Sequence, residues 1–247
     1  MRYFLIALIA LALTSCASKD TDTGKVKEVE QTWKGKGFTY YPSGQLIPSN
    51  SGRGRYGDNY IYAPHIRFPL AYAPAYLNSQ VYGIGGRYGP RGSLCDKRNY
   101  QYPWRDNFCE KRNRKRSMPL CPTGTGHQGV DIRAKDCRDN THYAVAVEEG
   151  VITYIGSYSV KLRGISGRTY RYLHLNKRSL QVRRGQRVWR GQKIGRVSDN
   201  MGSTKTSIHL HFDIKQTIRF GNRSKRVYVP PYASLIDAYK RLLRGRP

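Results

Sequence analysis

The chain has 247 residues, and 44 lysines and arginines against 16 acidic residues give it a formal net charge of +28. Such a charge concentrates an anionic polymer near the protein whatever its fold. In the cytoplasm it would be typical of nucleic-acid binding. For an exported chain, a cell-wall polymer, an anionic glycan or lipid headgroups fit better. Charge alone also allows the plainer interpretation that the basic residues only keep the surface solvated.

The first residues indicate export. Arg2 supplies a positive charge, and residues 4–13 are apolar without a break. A membrane-spanning helix needs about 20 apolar residues, so this run is too short for a permanent span. Residues 1–15 are therefore predicted to be a secretory signal that is removed during export.

Residues 13–16 read Leu-Thr-Ser-Cys, which is similar to a bacterial lipobox. In that motif the cysteine becomes the lipidated first residue of the mature protein, so Cys16 is the expected lipid anchor. An ordinary cleaved signal with a chance cysteine is the alternative. Ala17 follows where inner-membrane lipoproteins usually carry Asp, which favours an outer-membrane location facing the periplasm.

The other four cysteines are expected to form disulfides. An even number in an exported chain predicts two bridges, with three possible pairings. The short-loop pairing, Cys95 with Cys109 and Cys121 with Cys137, is the one expected here. A structural zinc site of four thiolates is the competing hypothesis, but the C-x-x-C spacing that would support it is absent.

Residues 16–105 are predicted to form an N-terminal arm. This segment is rich in Gly, Pro, Ser, Asn, Arg and Tyr, and it shows neither helical nor strand periodicity. It also holds more tyrosines than a disordered linker usually has. We expect a tether up to about Asn50 and packed, irregular structure after it.

Residues 106–247 are predicted to form a mainly β domain with an antiparallel sheet. YAVAVEEGVITYIG has the pattern of a hairpin, and RTYRYLHL and SIHLHFDIK alternate as half-buried strands do. Glycines at 185, 191 and 195 mark tight turns between short strands. A domain of roughly 140 residues is large enough for one core.

The C-terminal segment SLIDAYKRLLRG is predicted to be a helix packed on the sheet. Ser234 can act as its N-cap, and Gly245 can close it. Five apolar residues share one helical face: Leu235, Ile236, Tyr239, Leu242 and Leu243.

Most of the histidines concentrate in three short segments, GHQGVD, YRYLHL and IHLHFD. His209 and His211 are two apart in a strand-like run and leave one face, and the four-residue spacing of His127 and Asp131 does the same in an extended segment. Two imidazoles and a carboxylate suit Zn²⁺ with water in the fourth position, which is the arrangement of catalytic sites. Packing in the sheet would be ordinary for any one histidine but explains the whole set poorly. His65 and His142 are expected to be surface or packing residues.

These segments resemble the lysostaphin/LytM-type zinc metallopeptidases, which hydrolyse peptide bonds in bacterial peptidoglycan. The H-x-x-x-D motif reads HQGVD from residue 127, Y-x-H-L reads YLHL from residue 172, and H-x-H reads HLH from residue 209. The resemblance covers roughly residues 124–214. It implies zinc ligands and catalytic histidines, respectively His127, Asp131 and His211, and His174 and His209. Asp213 departs from the family pattern, which often has Glu or Gln there, and this departure is expected to affect substrate fit more than metal binding.

The resemblance implies a mainly β, antiparallel metallopeptidase domain of this type. A C-terminal helix, and an irregular N-terminal arm for which the family offers no counterpart, complete the predicted fold. The expected function is a zinc endopeptidase of the cell envelope that cuts peptide cross-links in peptidoglycan. An outer-membrane location favours a D,D-endopeptidase over a glycine-bridge enzyme. The alternative is a catalytically inactive, cell-wall-binding regulator of another hydrolase. No nucleic-acid partner is expected, and the oligomeric state and the effect of the arm on the groove are left open.

Overall fold

The structure is a computed structural model that describes residues 31–32, 37–113 and 116–247. The signal segment 1–15 and the candidate anchor Cys16 lie outside the described residues. Within the described part of the chain, no helix is both long enough and apolar enough to cross a membrane.

An eight-stranded antiparallel sheet and one C-terminal helix dominate the structure, which confirms the predicted fold class. Its strands are β3 (Tyr76–Leu77), β4 (Val130–Arg133), β6 (Gly150–Ile155), β7 (Ser159–Gly164), β8 (Thr169–Leu173), β9 (Arg187–Val188), β13 (Leu210–Phe220) and β14 (Arg223–Val229). The strand order along the sheet is β3-β4-β13-β8-β7-β6-β9, and β14 pairs with β13. Smaller two-stranded sheets pair β1 (Gln31–Thr32) with β2 (Thr39–Tyr40), β5 (Tyr143–Val145) with β10 (Lys193–Arg196), and β11 (Asn200–Met201) with β12 (Thr204–Lys205).

The central strand β13 has two chemically different faces. Leu210, Phe212 and Ile214 belong to the hydrophobic core, and all three are fully buried. His211 and Asp213 alternate with them and therefore project from the opposite face. The same strand thus anchors the core and presents polar side chains on its other side.

The C-terminal helix α1 spans Tyr232–Leu243 and packs on the core, as predicted. The expected N-cap is wrong, because the helix begins earlier and Pro231 is its N-cap residue, with no side-chain capping bond. Ser234 is buried inside the first turn, where its Oγ accepts a hydrogen bond from the Ala63 backbone N–H at 3.0 Å. The hydroxyl therefore joins the arm to the helix.

The N-terminal arm contributes directly to the core. Phe38 is fully buried, and its ring centroid lies 4.7 Å from that of Trp104 and 4.9 Å from that of Tyr239 in α1. The prediction of a tether up to about Asn50 is therefore wrong from Phe38 onward, because aromatic packing fixes this segment. Packed, irregular structure after Asn50 is confirmed by buried residues such as Phe68. The boundary between residues 105 and 106 stays a prediction, although residues on both sides share one core.

The four cysteines form two disulfides, but the expected short-loop pairing is wrong. The bonds join Cys95 to Cys137 and Cys109 to Cys121, across Cα distances of 5.5 and 5.4 Å. Arg133 at the end of β4 donates a hydrogen bond to the Leu94 carbonyl at 2.9 Å, which brings Cys137 beside Cys95. Backbone bonds between residues 118 and 124 turn the chain back, so that Cys121 returns to Cys109.

Candidate metal centre

Two neighbouring strands and the loop before them bring the first and last motifs together. Asp131 on β4 lies directly opposite His211 on β13 in the antiparallel register, and His127 precedes β4 by three residues. Gly129 allows this approach, because a Cβ there would collide with the Phe212 carbonyl. All three candidate ligands are buried, and one ligand atom from each lies within 4.8 Å of the others.

The ligand atoms point at one another. Asp131 Oδ1 lies 3.1 Å from His211 Nδ1 and 3.3 Å from His127 Nε2, and the two ring nitrogens are 2.9 Å apart. These distances place the three atoms around one small volume. The structure therefore assembles the three residues that the motifs indicate as ligands.

The outer hydrogen bonds of the two imidazoles decide which nitrogens hold lone pairs. His127 Nδ1 lies 2.9 Å from the Asn107 carbonyl oxygen, which only accepts, so this nitrogen donates. His211 Nε2 lies 3.1 Å from Asp213 Oδ2 and likewise donates. In the neutral rings, the facing nitrogens and Asp131 Oδ1 are then three acceptors with no donor between them. A cation satisfies all three, and this donor set suits zinc.

A half-buried arginine binds the outer oxygen of the candidate carboxylate ligand. The Arg112 guanidinium donates to Asp131 Oδ2 at 2.8 Å, which leaves Oδ1 facing the histidines. Burial opposes ionisation of Asp131, but the neighbouring imidazoles of His127 and His209 outweigh it and hold its pKa well below the usual value. Burial also lowers the pKa of His127 to about 4, which favours its neutral, metal-binding form.

A second carboxylate orients His211 from behind. Asp213 shares the face of His211 on β13 and lies opposite Arg171 on β8. Arg171 binds Asp213 Oδ2 through both Nε, at 2.6 Å, and Nη2, at 2.5 Å. This pair fixes the carboxylate that receives the His211 Nε2–H. Asp213 therefore supports the candidate ligand His211 directly, and the expected effect of this residue on substrate fit stays a prediction.

The two remaining motif histidines lie together beside the candidate ligands. The ring centroids of His174 and His209 are 4.5 Å apart, and His209 Nε2 lies 3.4 Å from Asp131 Oδ1. Both rings bind a backbone carbonyl through Nδ1, at 2.7 Å to Asn200 and 2.8 Å to Ser207. Each neutral ring thus carries its proton on Nδ1 and keeps an Nε2 lone pair.

His174 is held in an unusual backbone conformation. Its φ is 65°, where the chain leaves β8, and Ser198 binds its carbonyl oxygen through both the backbone N–H, at 2.7 Å, and Oγ, at 3.0 Å. The ring stacks on Tyr158 at 5.7 Å with an interplanar angle of 8°. Burial lowers the pKa of His174 well below its ordinary value, and the neighbouring imidazole of His209 adds to this shift. Its ring is therefore neutral, with an unprotonated Nε2.

Sequence reasoning missed three supporting contacts. Asn107 positions His127, Arg112 binds Asp131, and Ser207 contacts both His209 Nδ1, at 3.0 Å, and Gln80 of the arm. All of these residues lie outside the three motifs, and no local pattern marks them. Only the tertiary structure shows that residues 78–113 form part of the wall of the site.

A protein-family model matches the part of the chain that contains the candidate site. Residues 125–226 match the model of peptidase family M23. This match covers less than half of the chain, and it contains all five residues that the motifs indicate. Among curated proteins, none matches the sequence significantly.

Several solved structures are similar to this chain. A protein named lytM from Ruminococcus gnavus has 18% identity and a TM-score of 0.44, covering 73% of this chain and 62% of its own. Lysostaphin from Staphylococcus simulans has 24% identity and a TM-score of 0.35, covering 45% of each chain. A zinc containing peptidase from Vibrio cholerae has 28% identity and a TM-score of 0.31, covering 41% of this chain and 31% of its own. The present chain thus spans less than two thirds of these proteins.

Proposed function

We propose that this protein is a zinc-dependent endopeptidase that hydrolyses peptide cross-links of bacterial peptidoglycan. The observation that carries the proposal is the convergence of three buried acceptor atoms, from His127, Asp131 and His211, with two proton-accepting histidines beside them. The match of residues 125–226 to peptidase family M23 supports the reaction class. The three motifs in order support peptidoglycan as the substrate.

The metal would be held by His127 Nε2, Asp131 Oδ1 and His211 Nδ1. When bound, zinc would supply Lewis acidity and lower the pKa of a water molecule at its open position. Arg112 and Asp213 keep two of these ligands oriented from outside, and Asn107 does the same for His127. This support lets the ligand set stay in place without rearrangement.

The two histidines outside the ligand set would handle protons. His209 Nε2 lies beside Asp131 and is positioned to accept the proton of the attacking water. His174 Nε2 is the second acceptor in the pair, and once protonated it can donate to the oxyanion or to the leaving amine. Because each Nδ1 is bound to a carbonyl, both Nε2 atoms stay aimed into the site.

The proposed location is the cell envelope, where a lipid on Cys16 would anchor the protein to the outer membrane, facing the periplasm. Support for the anchor comes from the Leu-Thr-Ser-Cys motif, and support for the membrane from Ala17. In such a location the cross-links join stem peptides directly, so a D,D-endopeptidase is the proposed specificity.

Peptidoglycan digestion tests the proposal. A soluble form lacking residues 1–19 is assayed for bound zinc and for fragments released from purified peptidoglycan, beside His211→Ala and His174→Ala. We expect His211→Ala to lose zinc and cleavage, and His174→Ala to lose cleavage while retaining zinc.

The matched control is His65→Asn, which changes an exposed histidine and keeps a residue that tolerates the positive φ at that position. It should behave as the wild type in both assays. If wild type takes up no zinc and releases no more fragments than the variants, the proposal fails. Wall binding without cleavage would instead support the inactive regulator.

A further inference from the structure

The sheet face that carries His211 and Asp213 is basic along most of its length. Residues opposite one another in an antiparallel pair project from the same face. The register places Arg171 opposite Asp213 and Lys161 opposite Arg171, while Lys215 and Arg163 both pair with Thr169. Thr217 pairs with Arg226 on β14. We refer to this set as the basic floor: Lys161, Arg163, Arg171, Lys215 and Arg226.

At its far end the basic floor opens into a cleft of about 580 Å³. The cleft lies between the loop that follows the undescribed residues 114–115 and the β13–β14 hairpin. The residues that line it include four basic residues and one tyrosine, and none is acidic: Arg116, Lys215, Lys225, Arg226 and Tyr228. Such a lining attracts an anion.

The charges of the basic floor are largely uncompensated. Arg171 is the one member with a carboxylate partner among the described residues, namely Asp213. The ammonium groups of Lys161 and Lys215 lie over tyrosine rings, at 4.7 Å from the Tyr154 centroid and 4.4 Å from the Tyr228 centroid. Tyrosine rings hold these cations in place without neutralising them.

Positive charges are crowded around Lys215, at the centre of the face. Burial lowers the pKa of Lys215 below its ordinary value, and the nearby charges of Arg171, Arg116 and Lys161 lower it further, against the opposing effect of Asp213. A bound anion would relieve this repulsion. The face is therefore suited to a negatively charged ligand.

Resting on the proposed function, we propose that the basic floor is a substrate subsite that binds carboxylate groups of an extended peptide. Lys215 lies four residues beyond His211 on one strand, which corresponds to about 13 Å, or about four residues of an extended peptide. Carboxylates on one side of the scissile bond would thus reach the lysines. A peptide is favoured over a phosphate polymer because the face is continuous with a site built to cleave an amide.

Binding of matched peptides tests the subsite without any need for turnover. Two fluorescein-labelled octapeptides of identical sequence, except that four glutamates in one are glutamines in the other, are titrated into the zinc-depleted soluble protein. The floor variant is Lys161→Gln/Lys215→Gln, and the control is Lys177→Gln/Arg178→Gln, which removes the same charge from two exposed residues off this face.

We expect wild type to bind the glutamate peptide at least about tenfold more tightly than the glutamine peptide, because the contributions of several ion pairs add up. The floor variant should lose about fivefold for the glutamate peptide, and the control less than about twofold. Equal affinity for the two peptides, or equal losses in both variants, would overturn the proposal.

Inorganic polyphosphate serves as the competing probe. If it binds more tightly than the glutamate peptide and loses affinity by the same factor in the floor variant, the face belongs to a phosphate polymer and the peptide subsite is wrong. Peptidoglycan digestion is read separately. If the zinc-loaded wild type prefers the glutamate peptide but does not digest peptidoglycan, the proposed function is wrong. If it digests peptidoglycan but does not prefer the glutamate peptide, only the subsite is wrong.

Discussion

Removing the disulfide between Cys109 and Cys121 should weaken both the fold and the metal centre. The bond closes a loop with a sequence separation of 12 residues, and Cys109 is hydrogen-bonded to the His127 carbonyl at 2.9 Å. His127 N–H in turn donates to the Glu110 carbonyl at 2.8 Å. The disulfide therefore fixes the segment to which the candidate zinc ligand His127 is hydrogen-bonded.

The expected loss of unfolding free energy follows from the entropy of closing the loop in the unfolded chain. Closing a loop of this length in the unfolded chain is worth about 3 kcal/mol at 25 °C, and the 42-residue separation of Cys95 and Cys137 is worth about 4 kcal/mol. Cys109→Ala/Cys121→Ala should lose about 3 kcal/mol of unfolding free energy in denaturant titrations. It should also bind zinc more weakly than wild type.

The matched control is Cys95→Ala/Cys137→Ala, which should cost at least as much stability yet leave zinc affinity closer to the wild-type value. The pairing itself is checked by mapping free thiols in single variants. Cys109→Ala should expose the thiol of Cys121. A free Cys95 instead, or equal loss of zinc affinity in both double variants, would refute this reasoning.

Three further outcomes are expected. Asp213→Asn should weaken zinc binding by roughly 10- to 100-fold in a chelator competition, because His211 loses a charged orienting partner; unchanged affinity would remove Asp213 from the metal centre. Burial raises the pKa of Glu110 from 4.5 to about 7, so the folded state disfavours its charge and stability falls as pH rises from 4.5 to 7. Glu110→Gln should match wild type at pH 4.5 and exceed it by up to about 3 kcal/mol above pH 7 in metal-free denaturation, and parallel pH profiles would contradict this. Phe38→Ala should cost about 3–5 kcal/mol in the same measurement, and a loss below 1 kcal/mol would show that the arm is not part of the core.

The strands that carry the motifs could be predicted because their signal is local. Alternation in IHLHFDIK places Leu210, Phe212 and Ile214 on the core face and His211 on the other, and β13 follows that pattern. The candidate ligands could also be named, since the spacing within each motif is short. What joins them, the pairing of Asp131 with His211, depends on strand register and becomes visible only in the fold.

Contacts between distant segments could not be predicted. In the sequence Phe38 is one of several aromatic residues in a segment without periodicity, yet it packs against Trp104 and Tyr239. Cys95 pairs with Cys137 because Arg133 reaches the Leu94 carbonyl, a contact that no spacing in the sequence encodes.

The contacts that support the candidate ligands are equally distant in sequence. Arg112 has no motif around it, although it binds Asp131 at 2.8 Å. Asn107 likewise carries no sequence signal for its contact with His127. These residues matter through their position in the folded chain and not through their neighbours in sequence.

The central claim is that zinc held by His127, Asp131 and His211 allows this protein to hydrolyse peptide cross-links. Mass spectrometry of peptidoglycan fragments before and after digestion tests it most directly. The zinc-loaded protein should convert cross-linked fragments into monomers, with the gain of one water for each bond cut. Unchanged cross-links with the fully zinc-loaded wild type, or equal conversion by His211→Ala, would contradict the claim.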